Sequence, residues 1–270
     1  MRMKWFSCMV AYVVKEWQVE TSYRLNSILR IVGVLSELAM FFFIDRLLHS
    51  PLDNALAPYG VNYFAYVVVG LICFSYAGIG DLSRRFAQEQ SQGTLELLMA
   101  VPVPELVLMT GMVLWNTLWA SIDVLLYLLG AVFLYGLSFP HVNLLSVGIV
   151  GLLTVVAMNA VALLDAALLL VFKRGQVFSW VLGVSWGVLG GVYFPIDVLP
   201  TWLQRIAFFL PTTRAVQLMQ SAFHLGTPVS ELWPRLAPLL FGTVFFLMVG
   251  SYALQQALRF AKIQGSLSYG

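Results

Sequence analysis

The stretch LSVGIVGLLTVVAMNAVALLDAALLLVF, from Leu145 to Phe172, decides the fold class. Asp165 is its only ionisable side chain. A helix needs about 20 mostly apolar residues to cross the hydrocarbon core of a bilayer, and lipid leaves its backbone no other partner than itself. This stretch exceeds that length, so it reads as a membrane-crossing helix that tilts or extends past the bilayer. Working outward, the same reading gives further spans at Ile28 to Leu48, Tyr63 to Gly80, Leu106 to Tyr135, Val177 to Phe194 and Leu236 to Leu258. Composition agrees with this pattern. Of 270 residues, 60% are hydrophobic and 10% are charged, with a mean hydropathy of +0.85. Soluble domains carry about 25% charged residues, so a soluble fold would lack the polar surface to cover such a core.

Lysine and arginine set the orientation, because short cytoplasmic loops carry the excess of them. With the N-terminus inside, the cytoplasm holds Arg2, Lys4, Lys15, Arg24, Arg30, Arg84, Arg85, Lys173, Arg174, Arg259 and Lys262. The outside holds Arg46, Arg205, Arg214 and Arg235. Both termini are therefore expected in the cytoplasm. Glu16, Glu20 and Arg24 interrupt the first apolar stretch, so no cleavable signal is expected. Residues 1–26 form an amphipathic helix instead. Trp5, Met9, Val13 and Trp17 mark one face, and Lys4, Ser7, Ala11, Lys15 and Gln18 the other. Such a helix lies in the membrane interface.

Between the fifth and sixth spans, residues 195–234 hold apolar runs too short to cross, punctuated by Pro200, Pro211 and Pro228. Proline suits the first turn of a helix and breaks its interior. Two short helices are expected, about Thr201 to Phe209 and Thr213 to His224, tucked into the outer leaflet as re-entrant elements over a cavity. The other substantial loop, 81–105, is cytoplasmic. Its first half is a polar helix pattern that Gly93 can end, Thr94 can cap the next turn, and Leu95, Leu98 and Met99 make a short apolar face before Pro102 and Pro104.

Several chemistries are excluded. A P-loop needs Gly-x-x-x-x-Gly-Lys-Ser/Thr to cradle phosphates, and none of Lys4, Lys15, Lys173 and Lys262 follows a glycine. No Gly-x-Ser-x-Gly or His-Glu-x-x-His occurs, and His49, His141 and His224 show no metal-ligand spacing. Cys8 and Cys73 read as small apolar residues, and a net charge of +2 gives no reason to expect nucleic acid. Polar residues inside the spans include Glu37, Asp123 and Asp165, with Asn116 and Asn159. A charge at a helix centre costs on the order of 3 kcal/mol, so such groups face a bundle interior or a watery cavity. They are candidates for a pathway lining, or for hydrogen bonds between helices.

The phrase Glu89-x-x-x-Gly93-Thr94-Leu95-Glu96-x-Leu98-x-x-x-Pro102-Val103 resembles the cytoplasmic loop of the type-2 ATP-binding-cassette (ABC-2) permeases, the exporter subunits of drug, lipid and lipo-oligosaccharide systems. Gly190-Gly191-Val192-Tyr193-Phe194-Pro195-Ile196-Asp197-Val198-Leu199-Pro200, followed by Leu210-Pro211-Thr212-Thr213, is similar to that family's signature at the end of the fifth span. Gln88, Gln90 and Gln92 stand where the family often carries charged residues.

The resemblance implies an all-α membrane protein. It would be one permease domain over 1–270, with an interface helix, six transmembrane helices and two re-entrant helices. It implies a second permease copy and a soluble ATPase subunit that holds ATP and magnesium, while this chain binds no cofactor. Glu89, Gly93, Thr94, Leu95, Glu96 and Leu97 would form the coupling helix against that ATPase. Phe194, Pro195, Leu199, Pro200 and Pro211 would belong to the outer gate. The expected place is a plasma membrane, as in a bacterial inner membrane. An ABC importer permease and a proton-coupled carrier using Asp123, Asp165 or Glu37 remain open as rivals. A membrane-embedded enzyme is disfavoured by the missing motifs.

Overall fold

The computed structural model describes residues 2–47, 53–78, 105–171 and 175–263, and these form helices and turns without a strand. The helices are α1 (Arg2–Ser22), α2 (Arg24–Leu47), α3 (Tyr63–Ser75), α4 (Glu105–Leu129), α5 (Leu144–Val171), α6 (Gly175–Leu189), α7 (Thr201–Phe208), α8 (Pro211–His224) and α9 (Val229–Ile263). Short turns at Asp53–Leu56 and Ala57–Tyr59 precede α3. Four segments are long and apolar enough to cross a membrane: α2, Met109–Leu134, α5 and α9. Two shorter apolar helices, Tyr63–Ser75 and Ser179–Leu189, stand where the second and fifth spans are expected.

Three expected boundaries are corrected. The second span, read as Tyr63 to Gly80, is helical for 13 residues only. Beyond it Gly78 takes a φ of 49°, which ends helical geometry. The fifth, read to Phe194, leaves the helix at Leu189, and Gly191 at a φ of 73° turns the chain. The sixth, read from Leu236, starts at Val229, so the end of the 195–234 stretch belongs to α9. Pro234 and Pro238 lie within α9 without ending it. They are one turn apart with exposed side chains, so the rings and the carbonyls they release share the open side.

α5 and α9 pack along each other and form the spine. Small residues allow it: a Cβ at Gly250 would sit 2.9 Å from the Ala160 carbonyl oxygen. Two clusters of buried side chains occupy opposite ends. One joins Tyr12 of α1 with Met112 and Trp115 of α4, Ala166 of α5 and Leu258 of α9. The other joins α2, α3, α8 and the starts of α5 and α9 around Phe64, Tyr66, Met158 and Leu236. α3 is buried on every side from Phe64 to Cys73. Its start is capped twice: Asn62 Oδ1 accepts from Ala65 N at 3.2 Å, and Asp45 Oδ1 at the end of α2 accepts from Phe64 N at 3.2 Å.

α3 presses on the Gly190–Pro195 turn. Tyr66 Oη donates to the Gly191 carbonyl at 2.9 Å, and Gln220 Nε2 of α8 donates to the Tyr66 carbonyl at 2.8 Å. A Cβ at Gly70 would fall 2.9 Å from the Val192 carbonyl carbon and 3.0 Å from its Cα. Backbone cannot yield as a side chain tip can. Gly70→Ala is therefore expected to destabilise by about 2 kcal/mol, as overpacking does. Thermal unfolding in detergent checks this. Gly33→Ala, whose Cβ meets nothing within 4 Å, should leave the midpoint unchanged.

Candidate functional site

The polar residues of the spans fall into two groups. The first lies between α2 and α4. Arg30 Nε donates to Asp123 Oδ1 at 2.6 Å, and its Nη2 pairs with Asp123 Oδ2. The same Nη2 donates to the Trp119 carbonyl at 3.4 Å, and the guanidinium lies 4.6 Å from the Trp119 ring. Further along, Tyr127 Oη donates to Glu37 Oε2 at 2.5 Å. Beyond that Gly130 meets Leu35 and Leu38, with room for no Cβ. Numbers rise together on both helices, so α2 and α4 run parallel and the contacts form rungs. Arginine suits such a site because its fork binds a carboxylate through two parallel bonds and stacks on an aromatic face.

The rungs sit beside a narrow stripe, Val34, Leu38 and Phe41, the only buried residues of α2. Ile28, Leu29, Val32, Met40 and Phe43 are exposed, and Arg30, Leu35, Glu37 and Phe42 are half-buried between the two faces. The side chains of Arg30 and Asp123 keep 23% and 19% exposure, so this polar row opens on the flank of the bundle rather than in its core.

The second group lies between α4 and α5. Asn159 Nδ2 donates to Thr117 Oγ1 at 3.0 Å and to the Val155 carbonyl at 2.8 Å. Asp165 is 2% exposed. Asn116 is buried beneath Gly78, where its amide occupies the place of any Cβ. α4 and α5 are successive antiparallel helices in register at Thr117 and Asn159. Asp123 and Asp165 lie six residues beyond that level in opposite directions, roughly 18 Å apart along the axis. They are not a pair, and Asn159 belongs to packing. Glu37 and Asp123 share one face.

The sequence reading missed Arg30, Trp119 and Tyr127. It placed Arg30 with the cytoplasmic cations. The signal was there: Arg30 and Glu37 are two turns apart on α2, and Asp123 and Tyr127 one turn apart on α4, so two complementary pairs match in order.

The residues expected at the outer gate lie around the turn after α6. Tyr193 stacks on Phe41 at 5.8 Å between centroids, Phe194 is half-buried and Pro195 is buried. Pro195 precedes the 3-10 turn Ile196–Val198, Leu199 follows it, and Pro200 precedes α7. Gln204 Nε2 ties this loop by donating to the Leu199 carbonyl at 2.8 Å. Pro211 opens α8, buried at its first position, and Thr213 Oγ1 donates to the Leu189 carbonyl at 3.0 Å. The Arg214 guanidinium covers the Phe208 ring at 3.9 Å and clamps α8 to α7. The coupling residues Glu89, Gly93, Thr94, Leu95, Glu96 and Leu97 lie outside the described residues.

α1 has three sides. Tyr12 and Glu16 face the bundle, and Trp17 meets Trp115 edge-on at 6.4 Å. Val10, Val14 and much of Trp17 are exposed on the opposite side, and Ser7, Ala11, Lys15 and Gln18 form the third. The apolar face read from Trp5, Met9, Val13 and Trp17 is thus divided between protein and surroundings.

The chain is similar to known proteins over most of its length. It is 26% identical over 219 residues to Nodulation protein J of Rhizobium leguminosarum bv. viciae, covering 74% of this chain and 77% of that protein. The model of the ABC-2 family transporter protein matches residues 50–252, from before α3 to within α9. With four long apolar helices beside that match, the chain is a multi-pass membrane protein that belongs to the ABC-2 transporter family, as a permease subunit.

Proposed function

We propose that this permease exports an amphipathic or lipid-linked substrate, with two copies meeting at a pathway and a separate ATPase docking on the 81–105 loop. The observation that carries the reading is the polar row on α2 and α4. It holds two carboxylates, one guanidinium and a phenol on a partly exposed flank whose other residues are apolar. Lipid would make such a row costly, whereas a second copy or a water-filled path would accept it. Six crossings follow if α3 and α6 are completed by the residues that flank them. α7 and α8 then form the re-entrant outer segment, because their 8 and 14 residues are too few to cross. α1 lies where bundle, lipid and cytoplasm meet, and its three sides suit those surroundings. The distribution of Lys and Arg supports cytoplasmic termini in a bacterial inner membrane.

Affinity purification from the native membrane in a mild detergent tests this reading. A P-loop ATPase is expected to co-purify in comparable amount, with ATPase activity in the eluate. A single polypeptide without that activity would favour a proton-coupled carrier built on Glu37 instead.

A further inference from the structure

At the end of the bundle where α3 and α5 begin and α8 ends, a cavity of about 660 Å³ opens. Aromatic side chains dominate its walls, among them Phe42, Phe64, Tyr135, Phe139 and Phe223. Among the described residues no Asp, Glu, Lys or Arg lines it, and its polar side chains include Ser138, His141 and His224. His224 is 8% exposed, and its Nε2 has no hydrogen-bond partner among the described residues. An unmet buried polar atom is costly, so a group that completes it is favoured there. Burial lowers the His224 imidazole to about 4, with the Ala65 backbone opposing part of the shift, so it stays neutral. Phe139 stands over both neighbours, 6.0 Å from His224 and 5.3 Å from Phe223 between centroids.

Phe223 also lines a second cavity, an apolar groove of about 580 Å³ between α3, α4, α5 and α8. Two glycines of α5, Gly148 and Gly151, lie along it. A Cβ at Gly148 would meet nothing within 4 Å, and one at Gly151 only Met219 at 3.7 Å. Each cavity has the size of a small-molecule site.

We infer that the two cavities, meeting at Phe223, bind one amphiphile, with an uncharged hydroxyl-bearing head beside His224 and Ser138 and its alkyl chain along Gly148 and Gly151. The aromatic walls supply apolar contact to the carbon face of such a head, and the neutral imidazole supplies the directed hydrogen bond. A phosphate or carboxylate would find no counter-charge. A head without a hydrogen-bonding group would leave His224 unpaired. The two cavities belong to one protomer and do not involve Arg30, Glu37, Asp123 or Tyr127, so the inference stands apart from the proposed pathway.

The test uses the purified permease in phosphatidylcholine nanodiscs. These carry equal small fractions of monoglucosyl diacylglycerol and phosphatidylglycerol, and retained lipid is read by native mass spectrometry. The glucosyl lipid is expected to be retained at least tenfold over both phospholipids. His224→Leu and Ser138→Trp, the latter at an exposed position, should bring retention to the phospholipid level, with the Ser138→Trp unfolding midpoint unchanged. Equal retention of the three lipids, or undiminished retention by Ser138→Trp, overturns the inference. Displacement by free methyl glucoside at millimolar concentration overturns its chain-binding half, because a head alone would then suffice.

Discussion

Glu96→Arg is expected to reduce transport at least tenfold while the protein still inserts and keeps its helices. Glu96 lies in the loop between α3 and α4, in the Gly93-Thr94-Leu95-Glu96 phrase that resembles a family's docking loop. An acid facing a partner's cation gives up attraction and gains repulsion on reversal, and charged pairs at interfaces commonly carry more than the 1.4 kcal/mol that makes a factor of ten. Gly93→Pro should act alike through the backbone, since proline fixes φ near −65° and removes a donor. The measurement is ATP-dependent transport into inverted vesicles, with unfolding midpoint as control. Wild-type rates in both variants would remove the loop from the mechanism.

Arg30→Leu is expected to lower stability by about 3 kcal/mol, the low end for breaking a buried ion pair because this one keeps some exposure. The cost comes from Asp123, left without its partner on an apolar flank. For a chain of this size that corresponds to roughly 6–10 °C in the unfolding midpoint. Arg30→Leu with Asp123→Leu should recover most of the loss, since neither charge then remains. A double variant no better than the single would show that the pair is not a unit.

The long elements were legible because hydropathy over 20 residues speaks directly to the solvent. The stretch from Leu145 to Phe172 became α5 within a residue at each end. Elements whose ends depend on tertiary contact were less legible. α3 stops where Asn116 fills the space beside Gly78, and α6 stops where Thr212 crowds Gly190 and Tyr193 crowds Gly187. No local pattern encodes either neighbour. The candidate site was half visible. Glu37 and Asp123 stood out as acids in lipid, but Arg30 was read by the rule for loop cations, which does not ask what an arginine two turns into a helix will meet. Asp165 stood out equally and proved buried elsewhere, because hydropathy reports depth and not azimuth.

α3 is held from its first turn to its middle: Asp45 Oδ1 accepts from the Phe64 amide, the Tyr66 hydroxyl donates to the Gly191 carbonyl, and Gly70 abuts the Val192 backbone. In the sequence the 81–105 loop follows it. The helix is about 20 Å long, from 13 residues at 1.5 Å each, and Gly70 is its single glycine. A helix of that length is stiff along its axis. It can act as a pushrod: a displacement along its axis reaches the Gly190–Pro195 turn at Gly70 and Val192, where no compliant side chain separates the two backbones.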